Sequence, residues 1–480
     1  MKIMRNHSVT CKTFVTVASA VILATACGGG GGSATSGPPY TIGGMVTGMN
    51  PGGQVTLLNN GSNPTEVKSN TSFAFSDMLG KGTSYNVSIK TDPLLQTCTP
   101  SKATGSFLSA NVSNVDINCV TSKLRVLGSA NGEFVTNLLL ANDGNFYGGA
   151  NDGLVDNGFV FKITPDGSFS IIYSFAGGPN DGSFPYGALV QASDGNLYGE
   201  TVGGGATGNG VIYKLTLSGT ETVLYSFAGA PGDGSSPNGL TIGADGNLYG
   251  TTLNGGVHPS PNSAFGTSGV FFRMTLAGQE TILYSFGATG DGANPYSAMI
   301  QGTDGNFYGT TEFGGTDNGG TVFKMTSDGT ETILHSFGAA GDAKWPYRTR
   351  VLQASDGNFY GSTSSGGTYD YGAIFKISPS GTETVLYSFN KGNEAPYGPG
   401  SSLIQGNDGN FYGTSMGGGS YDYGTIYQFS PNGNLVTVYS FTGGIDGSGP
   451  VDLILGNNGH FYGRTLDGPG YGPVGIIFKL

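Results

Sequence analysis

Short apolar runs separated by glycine-rich turns recur along the chain from about residue 123 onwards. Residues 187–227 show one complete unit, in which two apolar runs meet at Asp194-Gly195, and a Gly-rich segment precedes a continuously apolar run and then an alternating one. Asp-Gly is typical of two-residue β-hairpin turns, because these need positive φ and glycine adopts it at no steric cost. The pattern predicts four antiparallel strands, at Gly187–Gln191, Asn196–Thr201, Val211–Thr216 and Glu221–Phe227.

This four-strand unit recurs at nearly regular intervals. Its clearest marker is the sequence Asp-Gly-Asn-(Phe/Leu)-Tyr-Gly, and successive copies are spaced by 51, 51, 59, 52, 52 and 50 residues. A period near 50 with four strands in each copy is typical of the blades of a β-propeller. The marker begins at Asp143, Asp194, Asp245, Asp304, Asp356, Asp408 and, in a variant form, Asn458.

The two ends of the repeat region complement each other. It begins at Lys123–Leu127, which matches a fourth strand, and it stops at Leu480, the end of a third strand. One strand at the start, six full sets of four and three strands at the end make twenty-eight strands, or seven blades of four. We therefore predict an all-β fold with a seven-bladed β-propeller at residues 122–480, whose N-terminal strand completes the last blade. Such closure removes exposed sheet edges.

The N-terminus has the pattern of an export signal. Three basic residues precede the uncharged, largely apolar run Thr13–Ala26, which is too short to span a bilayer. With Cys27 and the glycines after it, the segment resembles a bacterial lipoprotein signal, which implies a lipid on Cys27. Ordinary cleavage after Ala24-Thr25-Ala26 is the alternative. Gly28 in place of Asp implies the outer membrane, so we expect a signal peptide at 1–26, a tether at 27–39 and a membrane-anchored, extracytoplasmic protein.

Residues 40–121 predict a second, smaller domain of short strands. The strands are expected at Thr41–Thr47, Gln54–Asn59, Ser72–Phe75, Tyr85–Lys90 and Val112–Val120. The segment is similar to Ig-like or transthyretin-like modules, so a small antiparallel β-sandwich is expected, with a spacer role. Cys11 leaves with the signal and Cys27 is the anchor, so Cys98 and Cys119 remain as an even pair in an exported chain and are expected to form a disulfide.

Composition excludes several classes of protein. Glycine supplies 88 of 480 residues and charged residues only 11%, which argues against an all-α protein. No Gly-X-Y period exists, so collagen is excluded, and spread aromatic residues argue against disorder. The net charge of −12 argues against nucleic acid as a partner.

The repeats resemble the GloVer (choice-of-anchor tandem repeat) family of exported bacterial proteins. The resemblance lies in the two markers Asp304–Gly309 and Gly320–Thr326 and their copies, and it extends over about three quarters of the chain. It implies an extracytoplasmic location. It implies no established activity, and therefore no catalytic residues.

Residues present in every repeat are expected to build the fold. The marker tyrosines, Tyr147 to Tyr462, should pack between blades. An acidic residue in most loops between the fourth strand and the next first strand, such as Asp181, is expected to accept backbone N–H bonds in a turn. Ca²⁺ binding there is the alternative, although each loop supplies a single carboxylate.

Candidate binding residues lie in the longer loops, which a propeller gathers on one face. Tyrosines that follow a proline should surround the mouth of the central channel, and Lys344–Arg348 holds the only tryptophan of the chain, with Arg350 nearby. Exposed tyrosines beside Asp and Asn resemble a sugar-binding surface; packing at the channel entrance is the alternative. The candidates are Tyr186, Tyr296, Trp345, Tyr347, Arg348, Tyr397, Tyr369, Tyr371, Tyr421 and Tyr423.

The residues favour binding over catalysis. His258, His335 and His460 lie in different repeats without metal-ligand spacing, so no metal or cofactor is expected. No nucleophile triad is evident. Glu200 and Glu312 lie at the end of the second-strand motif, where other repeats have Thr, Ala or Ser. The leading hypothesis is a non-enzymatic, monomeric protein that binds a glycan or an envelope protein through the long-loop face. A polysaccharide hydrolase or lyase acting at the channel, and an envelope scaffold, are the alternatives.

Overall fold

The computed structural model describes residues 39–106, 110–129, 133–134, 136–152, 155–262, 264, 266–347, 349–392, 395–472 and 474–480. The signal, the tether, the lipidation residue Cys27 and the candidate Arg348 lie outside these ranges. The described chain is built of β-strands, with one short 3₁₀ helix at Pro469–Tyr471. Within the described residues, no helix is long and apolar enough to span a membrane.

The N-terminal part forms two four-stranded sheets over a common core. Their orders are β4-β1-β8-β6 and β3-β2-β5-β7. Pairing is antiparallel except between β1 and β8, which run parallel, so the fully antiparallel sandwich expected here was wrong in this one pair. The strands are β1 Gly43–Thr47, β2 Val55–Asn59, β3 Ser62–Val67, β4 Ser72–Ala74, β5 Ser84–Thr91, β6 Gln96–Pro100, β7 Thr104–Ser106 and β8 Ile117–Thr121.

The predicted disulfide is present. Cys98 of β6 and Cys119 of β8 face each other directly across the antiparallel pair and are bonded. Both side chains are buried in a core with Ile42, Val55 and Leu57. The bond therefore ties the last strand of this small core to its neighbour.

Removing this disulfide should destabilise the N-terminal sheets. Replacing both Cys98 and Cys119 by Ala frees a loop of 21 residues, which by chain entropy costs about 3 kcal/mol. Denaturant unfolding monitored by circular dichroism should show a lower midpoint for the first transition. An unchanged midpoint in the double variant, or two free thiols by mass in the parent, would contradict this.

The repeat region folds into sheets of four antiparallel strands, and every sheet except the last is built from one sequence repeat. Seven such sheets occur in the described residues: β10/β11-β12-β13-β14, β15-β16-β17-β18, β19-β20-β21-β22, β24-β25-β27-β28, β30-β31-β33-β34, β35/β36-β37-β38-β39 and β40-β41-β42-β9. Short pairs β23-β26 and β29-β32 extend two of them. The strands are β9 Arg125–Ser129, β10 Glu133–Phe134, β11 Leu139–Leu140, β12 Phe146–Asp152, β13 Val155–Ile163, β14 Phe169–Ser174, β15 Gly182–Gln191, β16 Leu197–Gly204, β17 Val211–Leu215, β18 Glu221–Ser226, β19 Gly234–Ile242, β20 Leu248–Gly255, β21 Val270–Met274, β22 Glu280–Ser285, β23 Gly292–Ala293, β24 Ile300–Gln301, β25 Phe307–Thr311, β26 Phe313–Gly314, β27 Thr321–Met325, β28 Glu331–Ser336, β29 Ala343–Lys344, β30 Leu352–Gln353, β31 Phe359–Thr363, β32 Ser365–Gly366, β33 Ala373–Ile377, β34 Glu383–Ser388, β35 Tyr397–Pro399, β36 Ile404–Gln405, β37 Phe411–Gly417, β38 Thr425–Phe429, β39 Leu435–Ser440, β40 Ser448–Leu455, β41 Phe461–Asp467 and β42 Ile476–Lys479.

The Asp-Gly-Asn-Phe-Tyr-Gly marker builds the turn between the first two strands of each sheet. In the second sheet, Asn196 N donates to Asp194 Oδ1 over 3.1 Å, and the Tyr198 hydroxyl donates to Oδ2 over 2.8 Å. Gly195 has φ +81°, the conformation that the turn demands. In the first sheet, burial opposes ionisation, but hydrogen bonds from Asn145, Tyr147 and Lys162 lower the pKa of the equivalent Asp143 to about 2.

The marker tyrosines also join neighbouring sheets, as the sequence predicts. The Tyr308 ring stacks on Phe359 of the next sheet with centroids 4.0 Å apart, and Tyr360 packs on Phe411 at 4.3 Å. The same contact joins the last sheet to the first, where Tyr462 packs on Phe146 at 4.2 Å. The same contact between a marker tyrosine and an aromatic ring of the next sheet therefore joins these neighbouring sheets, including the last and the first.

The last sheet takes its fourth strand from the start of the repeat region. β9 pairs antiparallel with β42, with Val126 opposite Phe478 and Arg125 opposite Lys479. Leu127 of β9 lies in a core with Phe161 of the first sheet and Ile477 of the last. The chain ends of the repeat region thus share one sheet.

The N-terminal sheets contact the turn of the last repeat, which is the variant copy of the marker. His460 Nε2 lies 3.0 Å from Asp92 Oδ2, and Asp92 N donates to the Asn458 carbonyl over 3.0 Å. Leu94 and Leu95 pack against the core of this last sheet. His460 stands where the other repeats have Asn, so the departure from the marker coincides with the contact.

Candidate functional site

A central pocket opens where the first strands of all seven repeat sheets meet. Its cavity volume is about 130 Å³. Tyrosine, serine, asparagine and arginine side chains contribute to its wall. Its lining includes Thr136, Asn137, Tyr186, Gly187, Ala188, Asn238, Gly239, Tyr296, Ser297, Ala298, Tyr347, Arg350, Pro399, Gly400, Ser402, Met416, Val451, Arg464 and Leu466.

The first strand of each sheet is irregular where it reaches the pocket. In the second sheet the register shifts between Tyr186 and Val190, and in the fourth the strand is split into β23 and β24 with Tyr296–Ala298 between them. Comparable breaks occur in the other sheets. A bulge re-aims side chains without ending the pairing. These breaks turn residues of the first strand toward the pocket.

Three of the candidate tyrosines meet at the pocket. The centroids of the Tyr186 and Tyr296 rings lie 6.4 Å apart at 83°, and those of Tyr296 and Tyr347 lie 4.7 Å apart at 41°. Together they form a continuous aromatic wall along one side of the lining. Its ring faces and hydroxyls suit a ligand with both C–H and hydroxyl surfaces.

Charged side chains contribute to the pocket from the fifth and last sheets. Protein atoms surround Arg350 on most sides and lower its pKa, an effect that Asp452 opposes, yet the side chain stays exposed to water within the pocket. Asp452 faces Arg464 across β40 and β41, and they are only 3% and 5% exposed. Leu138 N donates to Asp452 Oδ2 over 2.7 Å. Burial raises the pKa of Asp452, and Arg464 and Arg350 counteract that rise.

Glu200 lies directly behind the pocket wall. Gly239 N donates to its Oε1, whereas Oε2 is buried without a hydrogen-bond partner. A Cβ at Gly187 would overlap Oε1, so glycine there makes room for the carboxyl group. Burial raises the pKa of Glu200 to about 8, so this carboxyl group carries a proton at neutral pH.

The structure places the other candidates away from the central pocket. Tyr397 lies opposite Gly417 at the outer part of the first strand and contacts Tyr371. Its expected place at the channel mouth was wrong, because Pro399 rather than Pro396 occupies the position of Pro185 opposite the second strand. Trp345, Tyr369, Tyr371 and Tyr421 are exposed and Tyr423 is partly buried, all outside the described lining.

Some pocket residues escaped the sequence analysis. Ser297 and Ser402 line the pocket and carry no motif. Asp452 carries none either; it lies opposite the lining residue Arg464 and is not itself part of the lining. Arg464 could have been found by the rule that singled out Glu200, because it occupies the same strand position as Thr310 and Thr414 in other repeats. A charged residue at that position marks a repeat whose part of the wall differs from the rest.

The loop acids outside the pocket accept backbone hydrogen bonds, as expected of a turn. Asp181 Oδ1 accepts from Gly182 N over 2.7 Å, and Oδ2 accepts from Ala176 N over 2.6 Å and from the Tyr173 hydroxyl over 3.0 Å. A glutamate from the next sheet approaches the same site. Burial, with Asp181 nearby, raises the pKa of this Glu221 to about 7.

Comparison with solved structures gives distant matches. Virginiamycin B lyase from Staphylococcus aureus is 13% identical with a TM-score of 0.47, covering 74% of this chain and 98% of that one. A gluconolactonase from Xanthomonas campestris is 11% identical with a TM-score of 0.38, covering 75% and 89%. The extracellular domain of a hybrid two component system from B. thetaiotaomicron is 14% identical with a TM-score of 0.49, covering 74% and 39%. These similarities say nothing about the chemistry of this chain.

Sequence comparison is more decisive. No curated protein matches the chain. A family model described as the Gloeobacter/Verrucomicrobia repeat matches residues 134–353 and 346–480, which together make up most of the chain and confirm the resemblance to GloVer repeats. The fold is accordingly a β-propeller-like array of tandem repeats with four-stranded sheets. The chain belongs to the Gloeobacter/Verrucomicrobia repeat family.

Proposed function

We propose that this chain is an exported, lipid-anchored protein whose seven-bladed β-propeller binds a glycan bearing an acidic group in the central pocket. In this proposal the signal at 1–26 is removed, Cys27 carries the lipid, and 27–39 is a tether. Residues 40–121 form an Ig-like or transthyretin-like spacer, and the propeller occupies 122–480. The protein acts as a monomer at the outer membrane.

The strand pairing supports the propeller. Each of the first six sequence repeats supplies one four-stranded sheet, and the pairing of β9 with β42 completes the seventh and joins the two ends of the array. Contact between Phe146 of the first sheet and Tyr462 of the last repeats the contact between the other neighbours. A closed ring of seven sheets accounts for both observations.

The observation that carries the glycan proposal is the aromatic wall of Tyr186, Tyr296 and Tyr347 beside the solvent-accessible Arg350. Tyrosine rings offer apolar faces to the C–H groups of a sugar ring. A guanidinium group binds a carboxylate through two parallel hydrogen bonds. Asn238, Ser297 and Ser402 add polar groups that can bind hydroxyls.

Glu200 favours a second candidate, an enzyme acting on the same class of glycan. A carboxyl group with a pKa of about 8 holds its proton at neutral pH, which is what a general acid requires. It lies behind Gly187 and Gly239, which line the pocket. In this reading a bound polysaccharide would be cleaved in the pocket rather than merely held.

A glycan array with the mature protein tests the proposal, with acidic and neutral oligosaccharides side by side. Binding of acidic glycans is expected. Arg350→Ala should weaken it at least about tenfold, since a charged hydrogen-bonded pair contributes about 1.5–3 kcal/mol. Tyr296→Ala should weaken binding to both acidic glycans and their neutral counterparts. Trp345→Ala is the matched control from the same loop and should bind like the parent.

Four outcomes separate the hypotheses. Binding without release of reducing ends or unsaturated products supports the binding protein. Product release that Glu200→Gln abolishes while binding persists supports the enzyme. Loss of binding in Trp345→Ala but not in Arg350→Ala would move the site to the outer loops. If neither the parent nor any variant bound a glycan on the array, a glycan ligand would be contradicted and the envelope scaffold favoured.

A further inference from the structure

One outer-loop site differs from its copies in three other repeats by a single side chain. Three sites combine a tyrosine, the loop aspartate and a glutamate from the next sheet. In the fourth, His335 replaces the tyrosine. The three tyrosine sites are Tyr173/Asp181/Glu221, Tyr225/Asp233/Glu280 and Tyr284/Asp291/Glu331.

His335 occupies its tyrosine position with little change in the surroundings. Its Nε2 lies 3.0 Å from Asp342 Oδ2, as the Tyr284 hydroxyl lies 3.0 Å from Asp291 Oδ2. The imidazole packs edge-on against Phe337 at 4.9 Å, as Tyr284 packs against Phe286 at 5.3 Å. The backbone therefore holds either side chain in the same place.

The exchange replaces a proton donor by a metal ligand. A tyrosine hydroxyl at this partly buried position has one proton to donate to the two carboxyl groups beside it, whereas one nitrogen of a neutral imidazole carries a lone pair. Donor atoms of His335, Asp342 and Glu383 lie within 4.8 Å of one another. Rotation of the Glu383 side chain, whose Oε1 is buried without a hydrogen-bond partner, would shorten the remaining distance.

We propose that His335, Asp342 and Glu383 form a binding site for one divalent transition-metal ion such as Zn²⁺. Imidazole nitrogen and carboxylate oxygen are ligands that Zn²⁺ accepts, and three protein ligands leave a position for water. The His335 and Asp342 side chains are 22% and 8% exposed, so an ion can reach the site from solvent. A divalent cation would also neutralise the two facing carboxylates.

Such an ion would join three elements, of which only those that carry His335 and Asp342 are linked by the hydrogen bond described above. His335 lies on β28, Glu383 on β34 of the next sheet, and Asp342 in the loop that leads to the pocket residues Tyr347 and Arg350. Binding should therefore raise the melting temperature of the repeat region. The site is separate from the central pocket, so it does not depend on the proposed function.

The equivalent sites in other repeats suggest matched variants that test this proposal. Protein treated with a chelator is titrated with Zn²⁺ by calorimetry, and thermal melting is followed with and without the ion. We expect the parent to bind about one equivalent more than His335→Tyr, which restores the side chain that the other repeats hold and should fold normally. Glu383→Gln should weaken binding by about tenfold or more.

The converse variant tests whether the three side chains suffice. Tyr284→His places imidazole beside Asp291 and Glu331 and should add about one further equivalent. Equal Zn²⁺ uptake by the parent and His335→Tyr would overturn the proposal and assign any bound ion to other side chains. A folded Tyr284→His protein that gains no Zn²⁺ would refute the claim that this set of ligands is sufficient.

Discussion

A chain in which Arg125–Ser129 is replaced by a flexible Gly-Ser segment should lose the cooperative unfolding of its repeat region. Without β9, the third strand β42 becomes an exposed edge, and the last sheet keeps three strands. The core shared by Leu127, Phe161 and Ile477 also opens to water. An exposed edge strand pairs readily with other chains, so aggregation is expected as well. Differential scanning calorimetry and light scattering would measure both effects.

A single substitution in the same strand tests closure without changing chain length. Leu127→Ala removes a side chain that is 9% exposed, and such truncations cost about 2–5 kcal/mol in a core. The control is Ile445→Ala, because Ile445 is 78% exposed and its loss should change stability by less than about 0.5 kcal/mol. Equal midpoints for the two variants in denaturant would show that β9 contributes nothing to the stability of the repeat region.

The regular part of the fold could be predicted because each repeat encodes the same local interactions. Asp-Gly turns, the marker tyrosine and the apolar third strand appear in the sequence at fixed offsets. The predicted Val211–Thr216 and Glu221–Phe227 match β17 and β18 within one residue. The first strand, expected at Gly187–Gln191, begins already at Gly182, because the bulge before Val190 disguises its alternation.

The N-terminal part was harder to predict, since it has no repeats to average over. β3 with Asn63 and Pro64, and β6 and β7 with few apolar residues, lack the strand pattern. They form because neighbouring strands offer hydrogen-bonding partners. The last strand was expected from Val112 but begins at Ile117, where pairing with β6 starts.

The site could be predicted only where a residue type alone suggests its role. Tyrosine after proline identified Tyr186, Tyr296 and Tyr347, but the same rule misplaced Tyr397 because two prolines flank it. The neighbours of His335 could not be found from spacing, since Glu383 comes from the following repeat. Contacts between repeats depend on how the sheets pack, which a period in the sequence does not specify.

The stability of the folded chain should fall as pH rises from about 5 to 9. Glu200 has a pKa of about 8 in the folded protein, against the ordinary value of 4.5 for glutamate. Between these values the folded chain holds a proton that the unfolded chain has released, so rising pH favours unfolding. Burial raises the pKa of four other glutamates as well, so they contribute in the same direction: Glu221, Glu280, Glu331 and Glu383. Asp143 has a pKa lowered to about 2, so the stability it contributes is lost as pH falls, and only at acidic pH.

Glu200→Gln isolates the contribution of this one carboxyl group to the pH dependence of stability. The amide imitates the protonated acid, keeping an acceptor for Gly239 N, so the variant and the parent should be equally stable at pH 5. At pH 9 the variant should be more stable by roughly 4 kcal/mol, because each pKa unit corresponds to about 1.4 kcal/mol. Urea unfolding at both pH values measures the difference, with Glu66→Gln, an exposed side chain, as the control. If the parent and Glu200→Gln lost the same stability between pH 5 and pH 9, Glu200 would have to be ionised in the folded protein. It could not then serve as the acid that the enzymatic alternative requires.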